Sequence, residues 1–122
     1  MIHKMNLAPL PFKAISMGKK TIEMRLYDEK RSKIKVGDEI EFDNIDTHKR
    51  IKCKVINLTR YIDFFELYFN YDKTVIGYDE NETANAEDMY EYYSPEQIQK
   101  CGVLAIEIKL ITENGYGKSS NT

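Results

Sequence analysis

The chain has no tryptophan, only two cysteines and three prolines, and no apolar run near the length that crosses a bilayer. The missing run excludes a membrane-spanning helix. Two cysteines at 122 residues exclude a disulfide scaffold, and Cys53 and Cys101, each in or beside an apolar stretch, are expected to be reduced core thiols. Histidine is scarce as well. His3 and His48 do not fall at ligand spacing with either cysteine, so neither a metal nor a cofactor is expected. Positive charge is not in excess. Eighteen basic against twenty acidic residues give a net charge of −2, which excludes a domain that holds nucleic acid by charge over its whole surface. The opening Met1-Ile2-His3-Lys4-Met5-Asn6 lacks the continuous apolar core of a leader, and the expected compartment is the cytoplasm.

What is present suits an ordinary globular protein: 42% hydrophobic and 31% charged residues, without repeats or an internal linker. At this length a chain buries roughly two-thirds of its unfolded surface, enough for a core without staples. One domain is expected over residues 1–112, followed by a loose Gly/Ser/Asn tail at 113–122. Charge is unevenly spread. Lys13, Lys19, Lys20, Arg25, Lys30, Arg31, Lys33 and Lys35 crowd the first third, whereas residues 72–96 carry eight carboxylates against Lys73 alone. That acidic stretch screens a basic cleft, docks another protein, or keeps a loop soluble.

Periodicity sketches the elements. Ile2 to Ala8 reads as a short strand, and Pro11 suits the first position of a helix that Gly18 closes. Thr21 to Leu26 alternates, with Ile22, Met24 and Leu26 on one face and Thr21, Glu23 and Arg25 on the other. Strands over 39–43 and 50–60 form a hairpin, and a helix over 61–70 is expected to turn Ile62, Phe65 and Phe69 inward. Ser94-Pro95-Glu96-Gln97 has the N-cap, first-position proline and capping-box glutamine of a helix start. A nearly continuous apolar strand, Val103 to Thr112, follows. The fold class is α+β: about five short strands with flanking helices, either a small closed or half-closed barrel or an open sheet.

Gly18-Lys19-Lys20-Thr21-Ile22-Glu23-Met24-Arg25 carries the chemistry. The glycine ends a helix, so the lysines sit where the chain enters a strand. Alternation then spaces Thr21, Glu23 and Arg25 at roughly 7 Å steps along one face. Lys20 and Arg25 suit phosphate, and Glu23 suits an amino group or the task of orienting Arg25. The same row also fits a solvent-facing strand with a surface ion pair.

The set Gly18-x-Lys20-Thr21-x-Glu23-x-Arg25, then Gly37-Asp38-x-Ile40-x-Phe42, then Tyr93-Ser94-Pro95-Glu96 with Gly102-Val103-x-Ala105-Ile106, resembles the ASCH domain family. The resemblance implies a PUA-like small β-barrel with a cleft beside it, and RNA or a nucleotide as partner. One branch of that family contains N4-acetylcytidine amidohydrolases with a catalytic lysine, threonine and glutamate. Lys20 matches the lysine, but Glu23 stands where that branch has its threonine nucleophile, so the same acyl transfer is not expected unchanged.

Two functions follow. In the first, a binding module holds RNA or a modified nucleotide through Lys19, Lys20, Thr21, Glu23, Arg25 and Tyr93, with Tyr27, Tyr92 and Tyr93 as candidate stacking rings. In the second, a small hydrolase acts on a modified nucleoside or on RNA. Lys20 then polarises the substrate, and Glu23 or Glu96, with Glu91 behind it, is the base.

Overall fold

A computed structural model describes residues 1–111. The expected tail at 113–122 and the last residue of the expected closing strand, Thr112, lie outside the described residues. Five strands form one mixed, curled sheet, a half-barrel: β1 (Ile2–Leu7), β2 (Ile22–Leu26), β3 (Glu39–Asn44), β4 (Arg50–Tyr61) and β5 (Val103–Leu110). Their spatial order is β1-β3-β4-β5-β2, so β1 and β2 are the two edges. Only β1 and β3 run parallel; the expected β3–β4 hairpin is present, and β5 is an interior strand between β4 and β2, as its apolar run requires. Among the described residues no helix is long and apolar enough to cross a membrane.

The long β4 turns the sheet. Its register shifts between Val55 and Asn57, a bulge that bends the strand and increases its twist. Before the bulge β4 pairs with β3 and β5; after it, Asn57 to Tyr61 continue along β5 alone.

Two apolar layers flank the central strands. Inside the curl, Met5, Leu7, Phe42, Cys53, Val55, Leu104 and Ile106 pack with Phe12 and Ile15 of helix α1 (Pro9–Ser16). On the outer face, Ile22, Met24, Leu26, Val103 and Ala105 pack against helices α2 (Phe64–Phe69) and α3 (Pro95–Cys101) and a 3₁₀ turn over Ala86–Glu91. Strands β2 and β5 are therefore covered on both faces.

Two local expectations need correction. Helix α1 begins at Pro9, two residues before Pro11. Helix α2 is shifted in phase: Asp63 caps it by accepting from the Glu66 amide, and Phe64 and Leu67 are the buried residues. Ile62, Phe65 and Phe69 point outward, with Phe69 90% exposed. The cap fixes where the first turn starts, and that decides which of several closely spaced aromatics face the sheet. Burying Phe64 and Leu67 contributes about 1.5–3 kcal/mol each.

Helix α3 starts as its sequence dictates. The Ser94 hydroxyl accepts from the Gln97 amide and the Gln97 side chain accepts from the Ser94 amide. The helix ends at Gly102, whose φ of 72° and ψ of −177° form a conformation essentially reserved for glycine. A Cβ there would lie 3.2 Å from the Tyr61 carbonyl oxygen. Gly102→Ala is expected to lower stability by about 1–3 kcal/mol, read as a lower urea midpoint with an unchanged slope.

Candidate functional site

The end of α1 places the first site residue. Gly18 takes a left-handed φ of 76°, and the amides of Lys19 and Lys20 both donate to the Ala14 carbonyl, turning the chain towards β2. Thr21 and Ile22 then donate to the Val75 carbonyl, which ties the distant residue-75 loop to the start of that strand. Gly77 of the same loop leaves room for the Lys20 side chain: a Cβ at Gly77 would sit 3.3 Å from Lys20 Cδ and 3.5 Å from its Nζ.

Strand β2 does not present its polar row to solvent. Glu23 pairs across the ladder with Ile106 and is only 3% exposed, on the inner side of the curl. Its Oε1 lies 3.1 Å from Lys20 Nζ, and its Oε2 accepts from Arg25 Nε at 2.6 Å. Arg25 Nη2 donates to the Asn6 carbonyl on β1 at 2.9 Å. The guanidinium thus bridges the two edge strands across the open seam of the half-barrel. The simple surface ion pair that this strand also allowed is thereby excluded.

The pair of cations decides the charge of the carboxylate. Burial works against ionisation of Glu23, but Lys20 and Arg25 outweigh it and hold the pKa below its ordinary 4.5. The buried Cys53 thiol feels the same charge: burial, with Glu23 adding, pushes it up to about 12. It is a core thiol and a poor nucleophile.

A cleft of about 430 Å³ opens on this cluster. Asn6, Ala8 and Pro11 line one side, and Lys20, Glu23 and Arg25 lie along its β2 wall. The other wall comes from the acidic stretch and from α2: Tyr68, Gly77, Tyr78, Glu82, Asp88 and Glu91, with Tyr92 and Tyr93 beside them. Tyr68 and Tyr78 are joined through their hydroxyls at 2.9 Å, and Tyr78 donates to Asp88 at 2.7 Å. Burial raises both phenols, with Asp88 adding in each case, so they stay neutral donors.

The cleft brings together Lys20, Glu23, Arg25, Tyr92, Tyr93 and Glu91. It does not include Lys19, which is exposed, nor Thr21, nor Glu96, exposed in the first turn of α3. Tyr27 also lies elsewhere, under the Arg60 guanidinium at 3.9 Å. Sequence reasoning did not single out Asn6, Gly77, Tyr68, Tyr78, Glu82 or Asp88 as site residues. The one available signal was the acidic stretch, whose fold into a cleft wall its composition does not show. Among the described residues no group of three or more His, Cys, Asp or Glu side chains is placed to hold a metal ion.

The ASCH domain family model matches residues 5–112, nearly the whole chain. The chain belongs to the ASCH domain family. No curated protein matches it. Among solved structures, this ASCH domain is similar to the hypothetical protein PH0355, at 35% identity and a TM-score of 0.78, over 91% of this chain and 100% of that one. It is also similar to protein PF0455 from Pyrococcus furiosus, at 32% identity and a TM-score of 0.66, over 91% and 98% of the two chains. An ASCH protein from Zymomonas mobilis shares the fold at 17% identity and a TM-score of 0.65, covering 91% of this chain and 71% of that one. The curled five-stranded sheet with short helices is the small PUA-like barrel that the family resemblance implies.

The Glu23 cluster is expected to make this ASCH domain acid-sensitive. A carboxylate whose pKa is lowered by folding stabilises the native state fully above its unfolded value and loses that contribution as pH falls. Between about pH 5 and pH 3 the stability should therefore drop. Glu23→Gln leaves Lys20 and Arg25 without their counter-charge and is expected to cost about 3–5 kcal/mol. Its urea midpoint should also vary less over that acid window. Part of the slope should remain, because Asp28 and Asp38 are also held low by their partners.

Proposed function

We propose that this ASCH domain binds single-stranded RNA by seating one nucleotide in the cleft beside β2. The observation that carries this reading is the buried Lys20–Glu23–Arg25 cluster, which opens on a ligand-sized cleft with tyrosines at its edge. Lys20 and Arg25 keep N–H groups beyond those that Glu23 and Asn6 engage, and these serve a phosphate or a base carbonyl. Glu23 sets the position of both donors. Its remaining lone pairs suit an exocyclic amino group.

Tyr92, at 65% exposure, and Tyr93 supply the stacking faces. The Tyr93 ring is itself fixed by stacking on Phe64 at 6.0 Å between centroids. The basic residues Lys30, Arg31, Lys33 and Lys35 do not line the cleft, so a long phosphate track beside it is not part of this reading. Binding should accordingly fall only shallowly with salt. Titration of labelled single-stranded RNA is expected to show such binding, weakened about tenfold by Tyr92→Ala, whose ring is largely exposed. It should weaken further in a Lys20→Ala variant checked for folding by circular dichroism. Equal binding by the parent and both variants would show that the RNA lies elsewhere.

A second reading, hydrolysis of a modified nucleoside, is favoured by one placement: Glu91 lines the same cleft as Lys20. Glu23 is a poor base because two cations hold its charge. Glu91, exposed and outside that cluster, is the better group to activate a water. Chromatography of N4-acetylcytidine and related acylated nucleosides after incubation should reveal product. Turnover no greater than that of Lys20→Ala would remove this reading.

A further inference from the structure

We infer that the cleft selects a nucleotide whose base carries a positive charge, such as a purine methylated on a ring nitrogen. This inference rests on the nucleotide-binding reading above and adds the class of base.

The charges lining the cleft are segregated by segment. Both cations, Lys20 and Arg25, come from β2 and the turn that leads into it. Three carboxylates, Glu82, Asp88 and Glu91, come from the segment that closes the other side. With Glu23 counted, two cations stand against four carboxylates, a net formal charge of −2 within the lining. Glu23 already balances one cation, so the β2 wall retains one positive charge, enough to orient a single phosphate.

The acidic wall has one cation near it, Lys73, which donates to the Glu80 and Glu82 carbonyls at 2.6 Å each and forms no ion pair with a lining carboxylate among the described residues. Asp88 accepts from the neutral Tyr78 hydroxyl at 2.7 Å, and Glu82 accepts from the Asp79 amide at 2.7 Å. Both are hydrogen-bonded without being neutralised. Glu91 makes neither an ion pair nor a side-chain hydrogen bond among the described residues. A neutral base seated here would remove water from these carboxylates and return no charge, which is costly. A cationic base repays that desolvation, and the adjacent Tyr92 and Tyr93 faces attract a flat, delocalised cation further. An anionic end on the β2 wall and a cationic end on the acidic wall describe one dipolar nucleotide. They do not suit a second phosphate, which the acidic wall would repel.

The test compares 7-methylguanosine 5′-monophosphate with guanosine 5′-monophosphate by calorimetric titration at mildly acidic pH, where the methylated base keeps its charge. The two differ by one methyl group and that charge. Binding of the methylated nucleotide at least about tenfold tighter is expected, since about 1.4 kcal/mol is within reach of one added charge–carboxylate contact. Glu91→Gln should narrow the ratio several-fold, because it removes a carboxylate that favours the charged base and penalises the neutral one. Equal binding of the two nucleotides, or a ratio unmoved by Glu91→Gln, would overturn the inference and leave the nucleotide reading standing. Failure of both nucleotides to bind would overturn the two together.

Discussion

A carboxylate buried on the inner side of a sheet is an expensive thing to keep ionised, and the architecture around Glu23 follows from how that cost is met. Taking a charge out of water costs several kcal/mol unless partners with good geometry replace the solvent. Here each oxygen has its own cation, Lys20 at 3.1 Å and Arg25 at 2.6 Å. Those cations must themselves be held, and both are held by distant parts of the chain. Arg25 reaches β1 through the Asn6 carbonyl, and Lys20 lies against Gly77 of a loop more than fifty residues away. One ionic cluster therefore closes the seam between the two edge strands, while the Thr21 and Ile22 amides, donating to the Val75 carbonyl, hold the loop that carries the acidic wall against the start of β2. Fold and cleft share a single electrostatic knot.

That arrangement limits the chemistry available. A carboxylate stabilised by two cations is a weak base and a weak nucleophile, whatever position it takes in a family motif. What the cluster offers instead is a pair of fixed donors in a setting where water is scarce and polar contacts are stronger than in bulk. Fixed donors favour recognition. Any bond-breaking step would depend on a group outside the cluster, and Glu91 is the lining carboxylate free for that role.

Much of this was legible in the sequence, for identifiable reasons. The alternation of Ile22, Met24 and Leu26, the capping box at Ser94 and the apolar run from Val103 are local signals, and each folds as its local chemistry dictates. The grouping of Lys20, Glu23 and Arg25 was legible too, because strand geometry forces it. Which side of the sheet they face was not. A polar row on a strand normally signals solvent, and only the curl of the sheet and the cover on both faces of β2 reverse that inference. Helix α2 failed for a smaller reason: with Ile62, Phe64, Phe65, Leu67 and Phe69 in one run, several phases bury equal apolar area, and the Asp63 cap selects one.

The largest gap concerns the acidic stretch, whose role depends on contacts far from it in sequence. In composition it looks like solvated loop, and the crowded lysines and arginines of the first third look like the binding surface. The fold inverts both impressions. Of that basic cluster only Lys20 and Arg25 line the cleft, each already committed to Glu23, while Glu82, Asp88 and Glu91 bring most of its uncompensated charge. On the reading proposed above, a chain with a net charge of −2 needs no broad basic face to bind a nucleotide. On that reading, two donors positioned by a buried carboxylate serve one anionic group, and the charge of the opposite wall bears on the rest of the ligand.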